Sequence, residues 1–116
     1  MTTTITIPAP CAWLNSNDRR HRMAEAKLVK EWRESAWAAC QNHGPLNWPV
    51  TITAHVWKPK NGRYDPGNLY PTAKACVDGL VDAGLLPDDD HKHVVGPDMR
   101  HGGKGPAELI LTIESC

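Results

Sequence analysis

Several things are missing from this chain of 116 residues. It has no Cys-x-x-Cys pair: Cys11, Cys40, Cys76 and Cys116 are spread along its length. That spacing argues against a structural zinc site and for four free thiols in a reducing cytoplasm. No apolar run approaches the roughly 18 residues of a membrane helix, and no secretory leader pattern is present. No repeat, low-complexity tract or linker divides the chain, so residues 1–116 read as one domain. Net charge is zero, which argues against a simple polycation that coats nucleic acid. Phenylalanine is absent, and the aromatics are five tryptophans and two tyrosines. The hydrophobic fraction of 41% still suffices for a core.

The charges that are present are unevenly placed. Residues 1–63 carry nine basic and four acidic side chains, and residues 64–116 carry four basic and nine acidic, so +5 is followed by −5. A basic surface beside an acidic pocket suits a metal-dependent enzyme acting on a polyanion, although two ordinary mixed surfaces would give the same count.

Hydrophobic periodicity predicts the elements. Thr2–Ile7 alternates as a strand ending at Pro8. Asn17 or Asp18 is placed to cap a helix over about 21–42, in which Leu28, Trp32, Ala36 and Cys40 recur every four residues and Gly44-Pro45 follows. Met23, Trp32 and Trp37 are expected in the core. Val50, Ile52, Ala54 and Val56 alternate as a second strand, and residues 59–68 are expected as a loop. Pro71 opens a helix over 71–83 whose apolar face is Ala73, Val77, Leu80 and Val81, with Gly84 at its left-handed C-cap. A short strand starts at His93–Val95, His101–Gly105 reads as a flexible turn, and Glu108–Glu114 alternates as the last strand. The fold class predicted is α+β: a small mixed β-sheet with two covering helices, in the order β-α-β-α-β-β.

The second helix is bracketed by acid: Asp65 before it and Asp88-Asp89-Asp90 after it. Carboxylates from two loops can share one Mg²⁺ or Mn²⁺, which takes few protein ligands and fills its shell with water and phosphate. A solvated acidic turn is the plainer reading of the triple aspartate. Adjacent like charges cost free energy, however, unless a cation or a proton offsets them. The helix is about 20 Å long by its rise per residue, so the two loops meet only if the strand-to-helix connection folds back or a dimer completes the site. Lys74 is either a phosphate contact or half of an i,i+4 pair with Asp78. His91 and His93 are secondary candidates for metal binding or acid catalysis. Arg19, Arg20 and Arg22 either contact phosphate or simply open a helix.

Three segments carry a resemblance: Asp65-Pro66-Gly67-Asn68, Lys74-Ala75-Cys76-Val77-Asp78-Gly79-Leu80, and Ala83-Gly84-Leu85-Leu86-Pro87-Asp88-Asp89. Together they resemble the RusA-like endodeoxyribonucleases, Holliday junction resolvases whose pattern runs Asp-x-Asp-Asn, Lys-x-x-x-Asp-x-Leu, Ala-Gly and Asp-Asp. The close match spans about 30 residues, and the flanking element order agrees. The resemblance implies a RusA-like fold and a Mg²⁺- or Mn²⁺-dependent homodimer that nicks four-way DNA junctions in recombination and repair. It implies no membrane and no small-molecule cofactor. By the same resemblance Asp65 and Asp89 are catalytic carboxylates and metal ligands, with Asp88 and Asp90 assisting, and Lys74 is the active-site lysine. Arg63, Asn68, Lys58, Lys60, Arg19, Arg20 and Arg22 would bind DNA. Two departures stand out. Gly67 takes the place of the second aspartate, and Leu69-Tyr70-Pro71 lengthens the gap to Lys74, as in a longer form of the motif resembling phage and actinobacterial relatives. A junction-binding protein without cleavage and a phage interaction protein are the alternatives.

Overall fold

Alternating β-branched residues build the strands, and four-residue apolar spacing builds the helices. The computed structural model describes residues 2–60 and 62–116, so position 61 of the connection after the second strand lies outside the described residues. The elements are β1 (Thr2–Pro8), α1 (Arg22–Ala39), β2 (Val50–Lys58), a 3-10 turn (Pro66–Leu69), α2 (Tyr70–Asp82), β3 (Val94–Lys104) and β4 (Glu108–Ser115). The order matches the expected β-α-β-α-β-β, with the 3-10 turn added. Residues 66–69, expected within a loop, wind up because Asp65 caps them and Pro66 pre-sets the first dihedral.

The strands form one mixed sheet in the order β1-β4-β2-β3. β4 runs antiparallel to both β1 and β2, whereas β2 and β3 are parallel. Cross-strand rows such as Ile5, Leu111 and Ala54 put the apolar side chains on one face. That face is buried with Trp32 and Ala36 of α1, Cys40 at its C-cap, and Ala73, Cys76, Val77 and Leu80 of α2. Both helices therefore cover the same side of the sheet. Thr4, Thr112 and Thr53 form a row on the other side, which neither helix covers. Among the described residues no helix is long and apolar enough to cross a membrane. All four cysteines are free thiols, and burial pushes the Cys40 thiol up to about 11.

Some expectations fail, each for a local reason. α1 is capped by His21, whose Nδ1 accepts from the Met23 amide at 3.2 Å. Asn17 is held in a turn by Asn15, and Asp18 pairs with Arg20 at 3.2 Å, so neither reaches the helix. Met23 is 76% and Trp37 46% exposed, because both fall off the buried stripe that Trp32 and Ala36 define. α1 ends at Ala39, before Gly44-Pro45, with turns from Trp37 to His43 closing it. The largest difference is β3, which runs on through the expected flexible turn to Lys104. A Cβ at Gly102 would lie 2.4 Å from the Trp57 indole nitrogen, and one at Gly103 2.8 Å from the same ring. These glycines let an edge strand lie flush on Trp57. The connection to β4 is only Gly105–Ala107, which steps over the end of β2.

One buried polar residue ties the N-terminal loop to α2. The Leu14 amide donates to Thr72 Oγ1 at 2.8 Å, and the Thr72 hydroxyl donates to the Leu14 carbonyl at 2.8 Å. Thr72→Val should therefore cost about 2 kcal/mol, since it strands a buried amide and carbonyl in a nearly isosteric site. Urea unfolding would check this; an unchanged midpoint would mean that the loop detaches without cost.

Candidate active site

The connection after β2 brings Asp65 to the start of α2. Its Oδ1 accepts from the Gly67 amide at 2.9 Å, and its carbonyl accepts from the Asn68 amide at 3.0 Å. A Cβ at position 67 would come 3.2 Å from that same Oδ1. Glycine thus leaves the Asp65 carboxylate uncrowded where the resembled motif has a second acid. The Asn68 carbonyl accepts from the Ser16 amide at 2.8 Å, which docks the N-terminal loop beside this turn. Arg19 and Arg20 follow on that loop, Arg22 opens α1, and all three are exposed.

At the other end of α2, Gly84 takes φ +83, and the Leu85 amide reaches back to the Leu80 carbonyl at 3.0 Å. This left-handed cap reverses the chain, and buried Leu85 and Leu86 anchor the return. Asp89 lands against Lys74, in the N-terminal half of the helix. The fold-back seen is that of the loop after α2 rather than of residues 59–71, and it brings Asp89 to Lys74. A helix of about 20 Å does not separate the acidic loop from Lys74, because the chain retraces part of that length.

Lys74 bridges two carboxylates. Its Nζ lies 3.0 Å from Asp78 Oδ1 and forms an ion pair with Asp89. Asp89 Oδ2 is shut away from solvent with no donor aligned to it, so the pressing ammonium is its partner in charge rather than a well-directed hydrogen bond. Of the two readings of Lys74, the i,i+4 pair with Asp78 is present, and the same ammonium also faces Asp89 of the second acidic cluster.

The three consecutive aspartates divide their work. Asp88 Oδ1 accepts from the Asp89 amide at 2.7 Å and shapes the turn. Asp89 faces Lys74. Asp90 pairs with His93 Nδ1, which holds its carboxyl below the ordinary range. His93 packs at a tilt against Trp48 with ring centroids 4.4 Å apart, while His91 is exposed. The like charges that looked costly in sequence are offset by the Lys74 ammonium at Asp89 and by the hydrogen bond of His93 to Asp90.

Among the described residues no three His, Cys, Asp or Glu side chains gather around one point. Asp65, Asp88, Asp89 and Asp90 thus do not form a closed cage. The donor chemistry nevertheless fits a hard divalent cation. Asp89 offers a buried carboxylate oxygen, faced here by the Lys74 ammonium, and Asp65 offers an exposed carboxylate; such ions often take only one or two protein carboxylates.

The basic residues fall into two groups. Lys58 Nζ sits 4.1 Å above the Tyr64 ring and 5.9 Å from the Trp13 ring. Lys60 and Arg63 are exposed on the loop beyond. Tyr64 hydroxyl and His101 Nδ1 lie 2.5 Å apart, which joins this loop to β3. Trp13, Tyr64 and His101 were not singled out as site residues from sequence. The available signal was Tyr64 standing directly before Asp65.

No family model matches the chain, and no curated protein does.

Proposed function

We propose that this chain is a RusA-like, divalent-metal-dependent endodeoxyribonuclease that resolves four-way DNA junctions as a homodimer in the cytoplasm of a bacterial or phage-infected cell. The observation that carries the reading is the return of Asp89 onto Lys74, on the helix that Asp65-Pro66-Gly67-Asn68 opens. A lysine and an acid brought together from separated motifs are what phosphodiester chemistry needs near one phosphate. A second copy would supply the second cut, since paired nicks suit a two-fold assembly.

Asp65 and Asp89 would hold Mg²⁺ or Mn²⁺, with Asp88 and Asp90 beside them. When bound, the ion polarises a phosphoryl oxygen and acidifies an attacking water. Asp89 aims the Lys74 ammonium, and Asp78 fixes it from the other side. Lys74 then neutralises charge that develops on the phosphoryl oxygens or the leaving group. Arg19, Arg20, Arg22, Lys58, Lys60 and Arg63 contact backbone phosphates, and Asn68 holds the turn that carries Asp65.

The test is cleavage of a labelled four-way junction with Mg²⁺ and with Mn²⁺, against a linear duplex of the same sequence. Paired symmetric nicks confined to the junction are the expected result. Gly67 in place of a carboxylate, with no closed acidic cage, favours one second reading: a protein that holds junctions without cutting them. Tight junction binding in EDTA with no nicks in either metal would establish it. Binding that barely changes with salt would point instead to an interaction protein that does not use DNA.

Lys74→Ala should slow cleavage more than it weakens junction binding. It should also cost about 1–3 kcal/mol of stability, because Asp89 loses its charge partner. Single-turnover rates and binding isotherms measured together check this; a loss confined to binding would move Lys74 from chemistry to docking.

A further inference from the structure

The sheet has two edges, and they differ. β3 makes a poor template for a further strand: Gly96 sits at φ +106, Pro97 has no N–H, the register against β2 shifts twice, and Asp98, Arg100 and Lys104 lie along it. β1 has none of these guards. Thr2 to Pro8 carries no charge, no glycine and no internal proline, and it pairs with β4 over seven residues without a register shift. Among the described residues, no backbone group outside β4 bonds to β1, and its one side-chain partner is the Ser35 hydroxyl, which donates to the Pro8 carbonyl at 3.0 Å. An unbroken, uncharged edge of this kind is a template for strand addition.

From this we infer that β1 is a dimerisation edge, occupied by β1 of a second copy running antiparallel. The strand is complementary to itself. With Ile5 opposite Ile5, Thr4 faces Thr6, Thr3 faces Ile7 and Thr2 faces Pro8. Each pair joins residues of the same parity, so Thr3, Ile5 and Ile7 of both copies stay on the helix-covered face and Thr2, Thr4 and Thr6 on the open face. The two-fold axis then stands perpendicular to the sheet, and an eight-stranded sheet carries all four helices on one side. A charged edge strand would meet its own charge across such an axis, whereas this one meets only uncharged threonine, isoleucine and proline. The surface is argued from the sheet alone; only its use, pairing two cuts, rests on the nuclease reading.

Sedimentation velocity of the full chain without DNA tests the edge, so a failed nuclease assay cannot be confused with a failed interface. The parent should sediment as a dimer that dissociates on dilution. The exposed pair Thr4→Lys with Thr6→Lys should be monomeric, with unchanged far-UV circular dichroism, since lysines then oppose lysines. Mixing it with Thr4→Glu/Thr6→Glu should restore a dimer. In the parent, β1 amides should exchange more slowly at high concentration than at low. A parent that stays monomeric, a lysine variant that stays dimeric, or a dimer whose β1 amides exchange as in the monomer would overturn the inference.

Discussion

Asp89→Asn is expected to abolish junction cleavage, with the rate falling by about 10²–10³-fold or more, while junction binding stays close to that of the parent. The change is nearly isosteric. It keeps the backbone amide that Asp88 holds at 2.7 Å, so the turn persists. It removes the negative charge facing Lys74, but Asp78 still pairs with that ammonium at 3.0 Å. Stability should therefore change little, by about 1 kcal/mol or less, as for other partly exposed ion pairs. What is lost is specific: a buried carboxylate oxygen able to hold a divalent cation and the charge that aims Lys74. Cleavage at the parent rate would sink the assignment of Asp89. A matching loss of binding and of thermal stability would make Asp89 a structural residue.

Gly79→Ala is expected to destabilise the protein by about 2 kcal/mol, the usual scale of overpacking. The sign makes the prediction sharp. In an exposed helix interior, glycine to alanine gains about 1 kcal/mol from propensity. Here the added Cβ would lie 2.5 Å from the Arg33 carbonyl oxygen and 2.8 Å from the Ala36 Cβ. The first contact is backbone, which cannot swing aside, so α1 and α2 must separate. That separation would also stretch the clasp in which Arg33 meets Asp82 at 2.5 and 2.8 Å, and which holds the Asp82 carboxyl below its ordinary range. A lowered urea midpoint would confirm the tight crossing. A stabilised variant would show that the helices pack loosely and that Gly79 is an ordinary helical glycine.

Much of the architecture was legible because periodicity reports burial directly. Val50, Ile52, Ala54 and Val56 are all buried as their alternation requires, and so are Trp32, Ala36 and Cys40 at their four-residue spacing. Met23 and Trp37 misled because residue type was weighed above position on the helix: both are large and apolar, yet they sit off the stripe. His101-Gly102-Gly103 misled because glycine marks a turn and a close approach equally well. Only the ring of Trp57 above the strand distinguishes the two.

The candidate site was legible as residue types and not as geometry. Asp65, Lys74 and Asp89 stood out by kind and spacing, and Gly84 correctly announced a reversal after α2. Nothing local said how far back that reversal carries the chain, nor that Asp88, Asp89 and Asp90 would take three different partners. The sequence by itself determined the order of helices and strands, most of their apolar faces and the places where acid and base occur, because each depends on neighbours a few residues apart. Tertiary structure alone decided that Asp89 returns to Lys74, that Gly79 admits α1, and that β1 rather than β3 is the bare edge. Those outcomes depend on contacts between segments tens of residues apart, whose register no local pattern encodes.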